Sequence, residues 1–418
     1  MPRAAAVLMI LLGALPAAGL EPLLTFHESV SLALRQSPYL SVSEMEVEIQ
    51  RLGEADSRAD YIPQFSLRTR YYLDQPEDSG RRFYLEFSVD PYNPVEAHVS
   101  LKARRLLTQL ATREHLQSVA DMLRALGEVF LELDAVDRVA VVDEELVEAA
   151  EARAARIAAR SKLGSAGELE RDVAGQEEEM ARLQRQQGQA WRQALLERAA
   201  ALMGWSGAAL PEPEVRQAAG QIFGDDAADP APWDFVRTNA LEAAIWPLQR
   251  QLQELNITAA RAAYIPDLLI GVRTPDPLSG LQDEDLYFSV GVDIPIWDGW
   301  KRARQVNRQR QALAQQSERG VVGEADLKMR WRAAENAWRL ADLDARAARL
   351  REALADIRYR QAVAAGAEEE LELARRTLLE ARRQSVFREL ARDKALLSVD
   401  FISGRLLNRF CRTEMDAP

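Results

Sequence analysis

Between residues 83 and 90 the chain alternates strictly. Phe83, Leu85, Phe87 and Val89 fall on one face of an extended strand, and Tyr84, Glu86, Ser88 and Asp90 on the other. Leu286 to Asp293 repeats the pattern, with Phe288, Val290 and Val292 set against Tyr287, Ser289 and Asp293. Weaker partner strands are expected from Phe65 to Tyr71 and from Leu268 to Thr274, where Ser66, Arg68, Arg70, Gly271 and Arg273 share a face. Such alternation with charge on one face suits a transmembrane barrel strand, apolar toward lipid and polar toward a lumen. A soluble hairpin with one buried face would alternate equally well.

Elsewhere the period lengthens. From Pro94 to Lys162 no further proline occurs and only Gly127 interrupts the helical pattern, which predicts a helix of roughly 100 Å. Leu116, Val119, Leu123, Leu126, Phe130 and Leu133 are spaced 3-4-3-4-3, and so are Leu340, Leu343, Ala347, Leu350, Leu354 and Ile357. That is a heptad seam, the signature of helices lying along one another. Helices this long have no globular core to lie on, so their partners are other helices.

The chain is also written twice. Arg58-Ala59-Asp60-Tyr61-Ile62-Pro63 recurs as Arg261-Ala262-Ala263-Tyr264-Ile265-Pro266, and the shift from Tyr61 to Tyr264 also carries Phe65, Leu67 and Arg70 onto Leu268, Ile270 and Arg273. Gly164 and Leu169 fall on Gly366 and Leu371 with a shift one residue shorter. Each half reads as a helix (Thr25 to Ala59; Trp233 to Ala262) stopped by Tyr-Ile-Pro, then a β-hairpin, then a long helical hairpin. The expected layout is a signal peptide at 1–19 and a first repeat at 20–204, with its hairpin at 64–90 and helical tip at 162–168. A linker rich in Gly, Pro, Ala and Asp follows at 205–232. The second repeat spans 233–405, with its hairpin at 267–294 and tip at 363–368, and a tail covers 406–418. The predicted fold class is mainly α, with long coiled-coil-like helical hairpins and a small transmembrane β part.

Composition narrows the function classes. Arg3, the apolar run Ala4 to Leu15 and Pro16-Ala17-Ala18-Gly19 have the order of a secretory signal peptide, and no cysteine follows to carry a lipid anchor. No later segment approaches the ~20 apolar residues of a membrane helix, so any membrane crossing must use strands. Four strands cannot close a barrel, and an open edge in lipid leaves backbone groups unpaired. Three copies would supply twelve strands and a twelve-segment ring of helices, predicting a homotrimer in contact with membrane lipid. A formal net charge of −12 argues against a nucleic-acid partner. Three histidines and the single Cys411 leave little material for a metal site or triad, and no cofactor is expected. Glu44, Glu46 and Glu48 and the run Glu177-Glu178-Glu179 read as solvated helix faces rather than paired catalytic carboxylates. No phosphate loop or nucleophile elbow is present, and the chain is not expected to be an enzyme.

At this point the chain resembles the TolC-like outer-membrane efflux proteins over nearly its whole mature length. Leu24 to Leu34 resembles the family's opening helix, and the two Tyr-Ile-Pro runs resemble its helix-to-strand junctions. Pro295-Ile296-Trp297-Asp298-Gly299-Trp300-Lys301-Arg302 resembles the strand-to-helix turn that the family writes Pro-Leu-Phe-Asp-Gly-Gly. The resemblance implies a trimer with its β-barrel in the outer membrane and its α-barrel in the periplasm. It further implies an exit duct for efflux or type I secretion, joined to an inner-membrane transporter through a periplasmic adaptor, and no chemistry. The first copy departs from the family with Asp90-Pro91-Tyr92-Asn93-Pro94, so an irregular start to the first long helix is expected. The second tip departs around Gly366.

Candidate sites follow from position. The tips Lys162, Leu163, Gly164, Ser165 and Ala166, and Val363, Ala364, Ala365, Gly366 and Ala367, are the parts able to reach an inner-membrane assembly. Their glycines at 164, 167 and 366 serve either docking or a tight turn through positive φ. Glu368, Glu369 and Glu370 form either an acidic ring at the periplasmic mouth or a first helical turn favoured by the macrodipole. Arg68, Arg70, Glu86, Asp90, Arg273, Ser289 and Asp293 are lumen-facing positions, with the arginines equally suited to an aqueous rim. Trp331 and Trp338 read as packing residues. A rival from another class is a non-pore periplasmic coiled-coil adaptor or structural spacer, which shares the helical hairpins but has no need of the duplicated alternating strands.

Overall fold

Prolines and the two sequence periods set the order of elements. The computed structural model describes residues 24–71, 83–165, 167–207, 211, 213–224, 229–274, 287–293, 298–366 and 368–415, and the expected signal peptide lies outside them. The first half gives α1 (Phe26–Gln36), α2 (Pro38–Ala59), β1 (Phe65–Tyr71), β2 (Phe83–Tyr92), α3 (Pro94–Lys162) and α4 (Glu168–Met203). After α5 (Ala218–Phe223), the second half gives α6 (Trp233–Asn239), α7 (Leu241–Ala262), β3 (Asp267–Thr274), β4 (Tyr287–Asp293), α8 (Lys301–Ala365), α9 (Glu368–Ser403) and α10 (Arg405–Met415). Among the described residues the fold is mainly helical with one four-stranded sheet, as the two periods predict. Among the described residues no helix is long and apolar enough to cross a membrane.

Three expectations need correction. The helix expected from Thr25 to Ala59 is two helices, because Pro38 forces Ser37 into an extended conformation (φ −65°, ψ 123°). Its start is a capping box, in which the Glu28 amide donates to Thr25 Oγ1 and the Thr25 amide donates to Glu28 Oε2. The helix expected from Trp233 to Ala262 breaks likewise at Ala240 (φ −64°, ψ 132°), whose side chain is buried in the core. The stretch read as a linker is more than a tether. It carries α5, whose Ile222 and Phe223 are buried, and the Glu214 amide donates to Leu24 O at 2.9 Å.

The sheet is an antiparallel meander in the order β1-β2-β3-β4, so β1 and β4 each have one edge without a strand partner among the described residues. Its register places Leu67, Phe87, Val272 and Phe288 in one row on one face, with Val89, Ile270 and Val290 in the next such row. The opposite face carries Ser66, Ser88, Gly271 and Ser289 in one row and Arg68, Glu86, Arg273 and Tyr287 in another.

Contacts divide the chain into two units. One comprises Met1–Ser37, Ala125–Ala228 and Ala341–Lys394. Its core joins α1, α3, α4 and α5, with Phe26 edge-on to Phe130 at 5.2 Å, while Trp191 of α4 stacks on Phe387 of α9 at 6.4 Å. The other comprises Pro38–Arg124, Asp229–Leu340 and Ala395–Pro418 and contains the sheet. Its helical core gathers Ala231, Val236, Ala240, Leu327, Trp331 and Val399, with Trp338 packed against it. Trp331 Nε1 donates to Ala231 O at 3.2 Å, so both tryptophans are packing residues. Cys411, expected in a polar tail, is buried.

The two heptad seams have different fates. Val119, Leu123, Leu126, Phe130 and Leu133 are buried within the chain. Leu340, Leu343, Leu350, Leu354 and Ile357 are all more than half exposed.

Candidate functional site

Of the strand positions read as lumen-facing, Ser289 and Asp293 have described side chains. Ser289 Oγ donates to Gly271 O at 3.2 Å, and Asp293 stands opposite Asp267. The side chains of Arg68, Arg70, Glu86, Asp90 and Arg273 lie outside the described residues. The backbone register nonetheless sets positions 68, 86 and 273 side by side, so the signs run plus, minus, plus across three strands. Asp90 falls in a register shift between Val89 and Tyr92, where no pair fixes its face. On the other face Phe288 and Val290 are 77% and 75% exposed, so among the described residues nothing covers them.

Just beyond that bulge lies a residue that sequence reading passed over. The start of the first long helix, expected to be irregular, is closed by Asn93. Its Oδ1 accepts from the Val95 and Glu96 amides at 3.1 and 3.2 Å, and Pro94 takes the first helical position, where its missing N–H is no loss. Its Nδ2 donates toward Ala262 O, Ile265 O and Asp267 Oδ1 at 3.2–3.3 Å. One buried amide therefore ties the first copy's strand-to-helix turn to the second copy's Tyr-Ile-Pro junction. In the second copy Asp298 does the capping instead, its Oδ2 accepting from the Arg302 amide at 2.9 Å. There Gly299 and Trp300 both take φ of +63°.

At the other end of the long helices, α3 ends at Lys162 and α4 begins at Glu168, and α8 ends at Ala365 with α9 beginning at Glu368. Gly164 and Gly366 adopt φ of +71° and +70° and act as the turn formers. Gly167 does not: it is an extended N-cap at φ −76°. Leu163 and Val363 are exposed at the tips, whereas Ser165 is spent on the turn, its Oγ donating to Arg160 O at 2.9 Å. Ala166 and Ala367 lie outside the described residues.

The acidic residues after the second tip are not a free ring in this chain. Arg156 donates to Glu368 at 2.9 Å and also pairs with Glu372, and Arg160 lies 3.5 Å from Glu369; Glu370 is exposed. These contacts set the two tips side by side. Above them Glu177, read as one of a solvated run, is shared by Arg153 of α3 at 2.7 Å and Arg376 of α9 at 2.6 Å. The bond to Glu177, followed by the bond to Glu380, holds Arg376 above its ordinary value. Spacing along one helix could not reveal this node, because its partners lie about 24 and 199 residues away. These three helices, with Tyr359 of α8, line a groove of about 1030 Å³ whose walls carry these pairs. Among the described residues there is no cluster of three groups able to hold a metal.

Solved structures share this architecture. A membrane protein from Pseudomonas aeruginosa superposes at a TM-score of 0.74 with 16% identity, covering 91% of this chain and 93% of that one. The transmembrane channel CusC gives 0.74 and 16%, with 91% and 92% covered. The open state of the Neisseria gonorrhoeae MtrE outer membrane channel gives 0.74 and 13%, with 91% and 88% covered. The chain has the TolC-like outer-membrane channel fold. No family model and no curated protein matches the sequence, so the TolC-like architecture here rests on backbone geometry at low identity. The TolC-like turn also explains a departure in sequence. Trp300 stands where the family's turn has its second glycine, and it has kept the glycine-like φ.

Proposed function

We propose that the chain is one subunit of an outer-membrane export channel, a homotrimer whose sheets close a twelve-stranded barrel and whose helices line a periplasmic tunnel. The reading is carried by the sheet: among the described residues, four strands with an uncovered apolar face and a strand-free edge on each of β1 and β4. Such a sheet is costly in lipid as a monomer and complete when three copies join edge to edge. Serine and charged positions then face the lumen, as export of polar cargo requires. The solved channels of like fold favour this over a poreless spacer.

Outer-membrane fractions should contain the protein as an oligomer that dissociates only on heating, native mass spectrometry in detergent should give three chains, and planar bilayers should show conductance. A folded periplasmic monomer would refute the reading.

The duct serves an inner-membrane transporter through a periplasmic adaptor that meets the tips. Leu163 and Val363, apolar and exposed beyond the glycine turns, are the contacts that suit end-to-end packing against another helical hairpin. Leu163→Asp and Ala365→Trp should leave trimer assembly intact but abolish export and adaptor crosslinking. Export that survives both changes would place docking elsewhere.

A further inference from the structure

The second strand-to-helix turn breaks two local rules at one place. Trp300 holds φ of +63°, a conformation that favours glycine, and its side chain is 66% exposed. Backbone strain of that kind persists where a function uses the residue, and an indole left so exposed recovers little of the cost by burial. The second rule concerns charge. Helix α8 opens with Lys301, Arg302 and Arg304, followed by Arg308 and Arg310, and no acidic residue occurs from Gly299 to Ser317. The macrodipole favours the opposite sign at a helix start. The first copy obeys it, with Glu96 in the opening turn of α3.

The helix end itself is not the site. Its first amides are occupied: Asp298 O and Oδ2 accept from the Lys301 and Arg302 amides at 3.3 and 2.9 Å, and the Arg304 amide donates to Trp300 O at 3.0 Å. What stays open is a flank. Lys301, Arg304 and Arg308 recur at i, i+3 and i+7, and all three are exposed. Val306 and Gln309 occupy another face, the first buried and the second bonded to Gln253 of α7. Arg304 gives one nitrogen to Gly299 O at 2.9 Å, and none of the three cations has an ion-pair partner among the described residues. Arg302, half-buried, lies 5.9 Å over the Tyr264 ring, which sets the second Tyr-Ile-Pro junction beside the turn. Tyr264 and Ile265 are exposed there as well.

We propose that this junction binds the headgroup of an anionic glycerophospholipid, an inference that rests on the channel reading above. Strand β3 begins at Asp267 and β4 ends at Asp293, so Tyr264 and Trp300 stand just beyond the ends of strands that cross the bilayer. That is the depth at which amphipathic rings settle and phosphates lie. The uncovered row Phe288, Val290 and Val292 leads along β4 toward the same place. The indole takes the glycerol and upper acyl region, and the cations of the flank take the phosphate. From Lys301 to Arg308 the helix rises roughly 10 Å, about the depth of a headgroup layer. A zwitterionic lipid would give three uncommitted cations no net counter-charge, and a soluble anion would give the strained indole no use.

The test uses the full chain reconstituted into vesicles of phosphatidylglycerol or phosphatidylcholine brominated in the acyl chains. The fluorescence difference between wild type and Trp300→Phe isolates that indole, and brominated lipid should quench it. In native mass spectrometry from mixed micelles, the wild-type trimer should retain phosphatidylglycerol over phosphatidylcholine by about fivefold for each cation that reaches a phosphate. Lys301→Gln, Arg304→Gln and Arg308→Gln together should abolish that preference in an intact trimer. Arg351→Gln, Arg358→Gln and Arg360→Gln, the same loss of charge far along α8, should keep it. Equal retention of the two lipids by wild type, a preference lost equally from both triple variants, or a Trp300 signal that brominated lipid leaves unquenched in an inserted trimer would overturn the headgroup site and leave the channel reading standing. A chain that does not float with the vesicles would overturn both. If the first triple variant does not assemble, wild-type retention and quenching still decide.

Discussion

Asn93→Ala is the most informative single change in the molecule. The side chain is 7% exposed and serves two structures at once. Losing Oδ1 uncaps α3, releasing the Val95 and Glu96 amides, which costs about 1 kcal/mol and up to about 2 in well-ordered caps. Losing Nδ2 removes its bond to Ile265 O, worth about 1 kcal/mol net. Ala262 O suffers less, since it also accepts from the Ile265 amide at 2.9 Å. The expected total is about 2–3 kcal/mol per chain, read as a loss in denaturant midpoint at unchanged m-value. Asn93→Asp separates the two roles. It keeps the cap but turns the donor into a carboxylate facing two carbonyls and Asp267, so it should be worse than Ala near neutral pH and recover as the new carboxyl is protonated. An Ala variant within about 0.5 kcal/mol of wild type, or an Asp variant as stable as wild type at pH 7, would refute this account of the junction.

Three further outcomes are expected. Val290→Arg should cost ~2–4 kcal/mol of barrel stability if the site lies at the membrane midplane, while Ser289→Arg on the other face is tolerated, and equal tolerance would take the hairpin out of the membrane. Trp300→Gly should be about 1 kcal/mol more stable than Trp300→Ala, since both lose the indole and only glycine relieves φ +63°; unfolding curves giving the reverse order would remove backbone strain as the cause. Asp400 is fully buried near Arg405 (3.5 Å) and Arg409 (3.7 Å), and burial pushes its carboxyl above the ordinary value, partly offset by the two arginines. A raised folded pKa means the stabilising contribution is complete below the unfolded value and is lost as pH climbs through the folded one. The stability of wild type relative to Asp400→Asn should therefore fall from acid toward neutral pH, and a flat difference in unfolding free energy would contradict it.

Much of the fold is legible in the sequence because it rests on period and punctuation. Alternation marks β2 and β4, and the proline after each Tyr-Ile pair marks where α2 and α7 stop. The Tyr264 and Ile265 amides close the second helix end onto Arg261 O and Ala262 O just as Tyr61 and Ile62 close the first onto Arg58 O and Ala59 O. What escapes the sequence is whatever depends on a partner distant along the chain. Asn93 looks like an accident in a broken turn motif until Ile265 is seen beside it. Glu177 looks solvated until Arg153 and Arg376 arrive from two other helices.

The two heptad seams make the same point about assembly. Leu123, Leu126 and Phe130 have the same spacing as Leu350, Leu354 and Ile357, and periodicity assigns both sets a neighbouring helix without saying whose. The structure gives the first set neighbours inside the chain and leaves the second bare. An apolar row of that length, exposed in every copy, would make a soluble monomer prone to associate. The sheet, too, ends in two edges that have no strand partner among the described residues. Each deficit is of a kind that a further copy of the chain can meet, strand edge to strand edge in the sheet and helix to helix in the long hairpins. A barrel alone could be closed by other strand numbers, and a helical seam alone could be covered by an unrelated hairpin. Strand-free edges have no use in a poreless spacer, so the sheet is the physical reason to prefer the channel reading.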